Sequence, residues 1–167
     1  MRARSFLSVV AVALLLSACG FELRGEARLP PVMQKTWLQL ADDSSTFSRE
    51  LVLVLRGSGI ELVGAPDQAT AELRVFDERM QREALTISGQ ARVREFALVF
   101  DIDFELRQAD GEVLIPRETL RLVRDYSFDE QEILAATREE EFLQAEMRRA
   151  MASQLLRRLE ALGPDRT

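Results

Sequence analysis

Between Arg94 and Arg107 every second residue is apolar: Phe96, Leu98, Phe100, Ile102, Phe104 and Leu106. The positions between them hold Ala97, Val99, Asp101, Asp103, Glu105 and Arg107. A period of two with one greasy and one mostly charged face predicts a β-strand. At about 3.3 Å per residue it would run roughly 45 Å, far beyond a usual strand. Asp110-Gly111 marks a hairpin turn. Val113 to Tyr126 reads as the returning strand, with Pro116 predicting an edge or a bulge. Earlier in the chain, Leu38 and Leu40 fall on one side of a short strand over 36–41. Asp42-Asp43-Ser44-Ser45 then offers turn and helix-capping side chains. Phe47, Leu51 and Val54/Leu55 follow at helical spacing up to Gly57, which predicts a helix over 46–56. Val52 and Val54 favour a strand over 51–55 as the rival reading. Ile60 to Val63 opens a further strand before Pro66-Asp67. Ala71, Leu73 and Val75 alternate with Glu72, Arg74 and Phe76 in another. From there to the break at Gly89 the pattern assigns no element.

The C-terminal third predicts one long helix. Leu143, Met147, Met151, Leu155, Leu159 and Leu162 form a single apolar stripe. Glu139, Glu140 and Glu141 lie early and Arg148, Arg149, Arg157 and Arg158 late, an order that complements the helix dipole. Ser127-Phe128-Asp129-Glu130 and Thr137-Arg138-Glu139-Glu140 both have capping-box spacing, so either could start it. Gly163-Pro164 closes it. The simplest assembly is α+β, one sheet covered on one face by two helices, its other face polar and wet.

The first 34 residues differ from the rest. Arg2 and Arg4 precede a nearly unbroken apolar run from Phe6 to Leu16, interrupted only by Ser8. The run is too short to span a bilayer, which takes about 20 residues, and fits the core of a secretory signal peptide. It ends at Leu16-Ser17-Ala18-Cys19, where small residues admit a peptidase and the Cys19 thiol can accept a diacylglyceryl group. This resembles a bacterial lipobox, with an ordinary signal peptide before a chance cysteine as the alternative. The expected organisation is a cleaved signal over 1–18, a lipidated N-terminus and tether over 19–34, one domain over 35–163 and a tail over 164–167. Cys19 would carry diacylglycerol and an N-acyl chain such as palmitate, and multiple chains anchor durably where one does not. Gly20 rather than Asp points to the outer membrane.

Composition removes whole classes of chemistry. The chain of 167 residues has no histidine and one cysteine. Ser–His–Asp and Cys–His catalysis, His-ligated metal and an internal disulfide are therefore unavailable, and no metal or other cofactor is expected. Without residues 1–18 the 22 basic side chains become 20 against 28 acidic, and the formal charge moves from −6 to −8. An acidic domain is poorly suited to nucleic acid, whose phosphates need clustered cations. Lys35 is the single lysine, so the cations are almost all Arg, which forks onto carboxylates and phosphates; Arg-favouring codon usage explains this equally.

Several segments together resemble the lipopolysaccharide-assembly lipoprotein family LptE. They are Cys19-Gly20-Phe21-Glu22-Leu23-Arg24, Leu29-Pro30-Pro31-Val32-Met33, Gly89-Gln90, Glu95-Phe96-Ala97-Leu98, Val123-Arg124-Asp125-Tyr126, Glu146-Met147 and Gln154-Leu155-Leu156-Arg157-Arg158-Leu159. The resemblance implies a two-layer sandwich of two helices packed on one face of a four-stranded, mainly antiparallel sheet. It also implies a non-enzymatic protein of the cell outer membrane, facing the periplasm and inserted in the lumen of the LptD β-barrel. There it would plug the barrel, assist its folding and bind lipopolysaccharide. A large barrel has a wet, polar interior, and Asp101, Asp103, Glu105 and Arg107 would present a matching surface; facing bulk water is the plainer reading of the same residues.

Arg forks suit the phosphates and carboxylates of lipopolysaccharide. The candidates are Arg92 and Arg94 at the entry to the long strand and Arg138 near the start of the last helix. They do not coincide residue for residue with the family's basic positions, which fall near Ser88 and Ala136 or Thr137. Ordinary surface pairing with Glu95 or Glu139–Glu141 is their alternative role. Two other classes stay open: a carboxylate-pair hydrolase, and an envelope lipoprotein that inhibits or scaffolds without binding lipopolysaccharide. Co-purification discriminates them, with a large barrel, with a soluble hydrolase, or alone.

Overall fold

A computed structural model describes residues 29–87, 93–127 and 133–163. The order of elements is β1 (Lys35–Gln39), α1 (Thr46–Gly57), β2 (Glu61–Val63), β3 (Ala71–Ile87), β4 (Val93–Gln108), β5 (Val113–Ser127) and α2 (Ile133–Glu160), with one-turn 3-10 segments at Pro31–Gln34 and Pro66–Gln68. The sheet has five strands in the order β2-β1-β3-β4-β5. This corrects the expected four-stranded, mainly antiparallel sheet. β2 is a three-residue fifth strand, and β1 runs parallel to both β2 and β3. The physical reason is α1, which returns the chain to the starting end so that β2 can pair with β1 in the same direction. Only the long ladders, β3 with β4 and β4 with β5, are antiparallel.

Local chemistry sets most element ends. Ser45 caps α1 by accepting a hydrogen bond from the Ser48 amide at 2.9 Å. The helix closes beyond Gly57, where Gly59 takes the left-handed conformation at φ 85°. Gly111, at φ 96°, turns the β4–β5 hairpin as its Asp-Gly pair predicts. α2 passes straight through Thr137–Glu140, so the second capping-box candidate does not start it. Part of the first, together with Gly89, Pro164 and the tail, lies outside the described residues.

The alternation in β4 sorts its side chains as expected. Leu98, Phe100, Ile102, Phe104 and Leu106 are buried under the helices, beside Met147, Met151, Leu155 and Leu159 of the α2 stripe. Phe47 of α1 meets Phe100 edge to face at 5.6 Å between ring centroids. The packed domain reaches back to Met33, which is wholly buried.

Two irregularities bend the ribbon at one level. Val75 pairs with Phe104 but Asp77 pairs with Asp103, which leaves Phe76 as an extra residue in β3. In β5 the register slips between Ile115 and Glu118, around Pro116. Beyond Phe76 the inward-facing positions of β3 switch from odd to even, so Glu78 and Met80 lie opposite Ile102 and Phe100. The helices differ in reach: 28 residues of α2 extend about 42 Å, and 12 of α1 about 18 Å. α2 therefore accompanies the ribbon along most of its length, whereas residues 81–85 of β3 are exposed.

Candidate functional site

Two surfaces bear on function: the helix-free face of the sheet and the end of the ribbon remote from the N-terminal entry.

On the helix-free face the β4 carboxylates are internally neutralised. Asp101 receives a two-point fork from Arg121 of β5, with both N–H···O distances 2.8 Å. Asp103 accepts from the Thr119 hydroxyl at 2.6 Å and from Arg117 at 3.1 Å. Glu105 is forked by Arg107. Hydrogen bonding from Arg121 chiefly holds the Asp101 carboxyl below its ordinary range. The Thr119 hydroxyl does so for Asp103, and Arg107 for Glu105. Asp101 and Glu105 are only 5% and 9% exposed although neither helix covers this face. The long side chains of neighbouring strands bury them instead. Arg117 also reaches across β4, its guanidinium carbon 4.5 Å from the centre of the bulged Phe76 ring. Arg74 approaches the same ring at 5.5 Å.

At the far end of the ribbon a small cluster fastens α2 to the sheet. The Tyr126 hydroxyl of β5 donates to Glu140 of α2 at 2.6 Å, and Arg82 of β3 donates to the same carboxylate oxygen at 3.2 Å. Phe96 of β4 stacks on Tyr126 with centroids 5.7 Å apart, and Arg82 lies 4.7 Å over the Phe96 ring. Burial, then the Glu140 bond, raises the Tyr126 hydroxyl above its ordinary pKa. Around this cluster large apolar side chains stay in solvent: Leu85 at 52%, Leu134 at 79% and Phe142 at 59% exposure. Cations beside exposed apolar surface are the chemistry an anionic amphiphile requires.

Arg138 is exposed on α2, two residues before Glu140, and has no ion-pair partner among the described residues. Arg94 lies in β4, between Val93 and Glu95, at the same end of the ribbon; its side chain is outside the described part. Arg92 and Cys19 lie outside the described residues. The structure thus brings the backbone of Arg94 and Arg138 to one end. Pattern reading missed Arg82 and Glu140 as partners, because Arg82 stands in the stretch whose phase the Phe76 bulge shifts. Tyr126 falls within the segment Val123-Arg124-Asp125-Tyr126, but its hydroxyl partner is 14 residues away.

A family model described as LptE, lipopolysaccharide-assembly, matches residues 30–159. The LPS-assembly lipoprotein LptE of Pectobacterium atrosepticum is 29% identical over 161 residues, covering 95% of this chain and 86% of that protein. The protein of the same name from Yersinia enterocolitica is 29% identical over 166 residues, with 95% and 77% covered. Among solved structures, lipoprotein B from Nitrosomonas europaea superposes with a TM-score of 0.72 at 26% identity, covering 85% of this chain and 91% of that one. Rare lipoprotein B from Shewanella oneidensis gives 0.66 at 25% identity, covering 76% and 94%.

Proposed function

The chain belongs to the LptE family of lipopolysaccharide-assembly lipoproteins, and from that membership we propose that it works as an outer-membrane plug of the LptD β-barrel. The family is not enzymatic. The proposed protein is held by diacylglycerol and an N-acyl chain on Cys19, stands in the barrel lumen, assists the barrel's folding and contacts lipopolysaccharide on its way to the outer leaflet. Arg92, Arg94 and Arg138 are its proposed contacts to the phosphates, with the exposed Leu134 and Phe142 beside Arg138 suited to acyl chains.

The observation that carries the plug reading is the helix-free sheet face. Its carboxylates are already bonded to Arg and Thr partners. Docking such a surface against a polar lumen wall removes little unpaired charge from water, so the desolvation penalty that opposes burial of bare ions is small.

Depletion tests the proposal. The barrel should then lose its heat-modifiable, folded form, and surface lipopolysaccharide should fall. In detergent the protein should co-purify with a much larger β-barrel. Normal barrel maturation after depletion overturns the plug role, and recovery with a soluble hydrolase instead would move the protein to the inhibitor class.

A further inference from the structure

The groove between the edge strand β5 and α2 contains a hollow of about 120 Å³ lined by Arg124, Leu143, Glu146, Met147 and Ala150. Arg124 pairs across the ladder with Leu98 and so belongs to the helix-covered face, which is otherwise mainly apolar. Two other strongly polar side chains of β5 on that face each have a partner on α2. Glu118 receives a two-point fork from Arg158 at 2.7 and 3.0 Å, and Tyr126 bonds Glu140. Arg124 has no carboxylate partner among the described residues: its guanidinium donates only to the neighbouring Val123 carbonyl at 3.1 Å. Arg74, Arg79, Arg82, Arg107, Arg117 and Arg121 of the sheet all lie within ion-pair distance of a carboxylate. Glu146, on the opposite lip, does not come within that distance of Arg124, which leaves an exposed cation at the mouth of a hollow that Leu143 and Ala150 line beside the buried Met147.

We propose that this β5–α2 groove seats a phosphorylated lipid, with the phosphate on the Arg124 guanidinium and an acyl chain against the half-buried Leu143 and Ala150. A guanidinium fork matches a phosphate. The adjoining Leu143 and Ala150 favour a phosphate that carries hydrocarbon over free inorganic phosphate. Glu146 repels the anion from its own lip and so favours the Arg124 side. The inference rests on the reading that this chain handles lipopolysaccharide and adds Arg124 to its proposed phosphate contacts.

The test uses the full chain in living cells, with the photo-crosslinking residue benzoylphenylalanine placed at Glu146 or, separately, at Arg138. Both positions are exposed, and Glu146 lines the hollow itself. The seat predicts a lipopolysaccharide adduct from position 146 that falls about tenfold in R124Q and is largely kept in R124K. The thermal midpoint of R124Q, a change at an exposed side chain, serves as the folding control. An adduct from 138 but none from 146 overturns the seat and leaves the lipopolysaccharide reading standing. Adducts from 146 to protein only also overturn it, since the groove is then a protein contact. Undiminished yield in R124Q removes Arg124 from the role, and absence of lipopolysaccharide adducts at both positions defeats the seat and the parent reading together.

Discussion

At the residue scale, Asp101 concentrates the electrostatics of the open sheet face. Its carboxyl is held below the ordinary value of 3.8, first by hydrogen bonding from Arg121. A folded-state pKa lower than the unfolded one means that the unfolded chain binds the proton more readily. The stabilisation is therefore complete above pH 3.8 and is lost as the pH falls through the lowered folded value. Asp103 and Glu105 act in the same direction. Glu78 acts in the opposite one: burial raises its carboxyl above 4.5, so its ionisation works against the fold as the pH climbs through that raised value. Asp42, whose carboxyl is lowered chiefly by the Ser44 hydroxyl, adds to the lowered set, and four lowered carboxyls against one raised predict net loss of stability below about pH 4. D101N should lower the thermal midpoint at pH 7, by an amount equivalent to about 1–2 kcal/mol, and the gap to the parent chain should close in acid. A gap of constant size from pH 7 to pH 3 would show that the pair contributes only packing. E78Q should raise the midpoint at pH 7 and lose that advantage once Glu78 is protonated.

At the element scale, the first turns of α2 are fastened to the ribbon by few polar groups. Tyr126, Arg82 and Glu140 converge where α2 extends past α1. Y126F removes the 2.6 Å bond to a carboxylate and should cost about 1–3 kcal/mol, chiefly by loosening residues 133–146. Hydrogen exchange should then quicken in that stretch while residues 151–159 remain protected; uniform acceleration along α2 would instead assign the bond to global stability. This joint also shows where the chain was legible from its pattern and where it was not. The β4 alternation, the Asp-Gly turn, the Pro116 irregularity and the α2 stripe each depend on neighbours a few residues apart, and all could be read. The second half of β3 could not, because the extra residue Phe76 reverses which parity points inward, and no fixed period spans both halves. The strand at Ile60 to Val63 could be read, but its parallel pairing to β1, which makes it a fifth strand of the same sheet, is a distant contact that leaves little trace in its own sequence. Among the candidate residues, Arg138 is picked out by charge and position alone, whereas the isolation of Arg124 depends on where Glu146 and Glu118 lie in space.

At the scale of the whole molecule, the proposed anchor and the proposed phosphate contacts fall toward opposite ends of the ribbon. The described chain enters at Leu29–Met33, beside the start of β3, where Thr70 donates its amide to the Lys35 carbonyl at 2.8 Å. Arg94 and Arg138 lie at the other end, and the 16 residues of β4 extend about 50 Å from one end to the other. Cys19 stands ten residues before Leu29, so a fully extended connection reaches at most about 35 Å. A lipid on Cys19 would therefore hold the entry end near one membrane surface and leave the Arg-bearing end to project along the barrel axis, over a length comparable to the roughly 40–45 Å of a bilayer with its headgroups. In the proposed arrangement the task of the anchor is to confine the domain to the membrane. C19S should thus leave the folding free energy within about 0.5 kcal/mol of the parent chain, measured by denaturant unfolding. The same substitution should release the protein from membranes without detergent and lower the yield of folded barrel, because the loss of acyl chains removes the local concentration that tethering supplies. A C19S chain that stays membrane-bound in cells lacking the barrel would refute the anchor. One that is released yet matures the barrel at the normal rate would show that the plug finds its lumen without a tether.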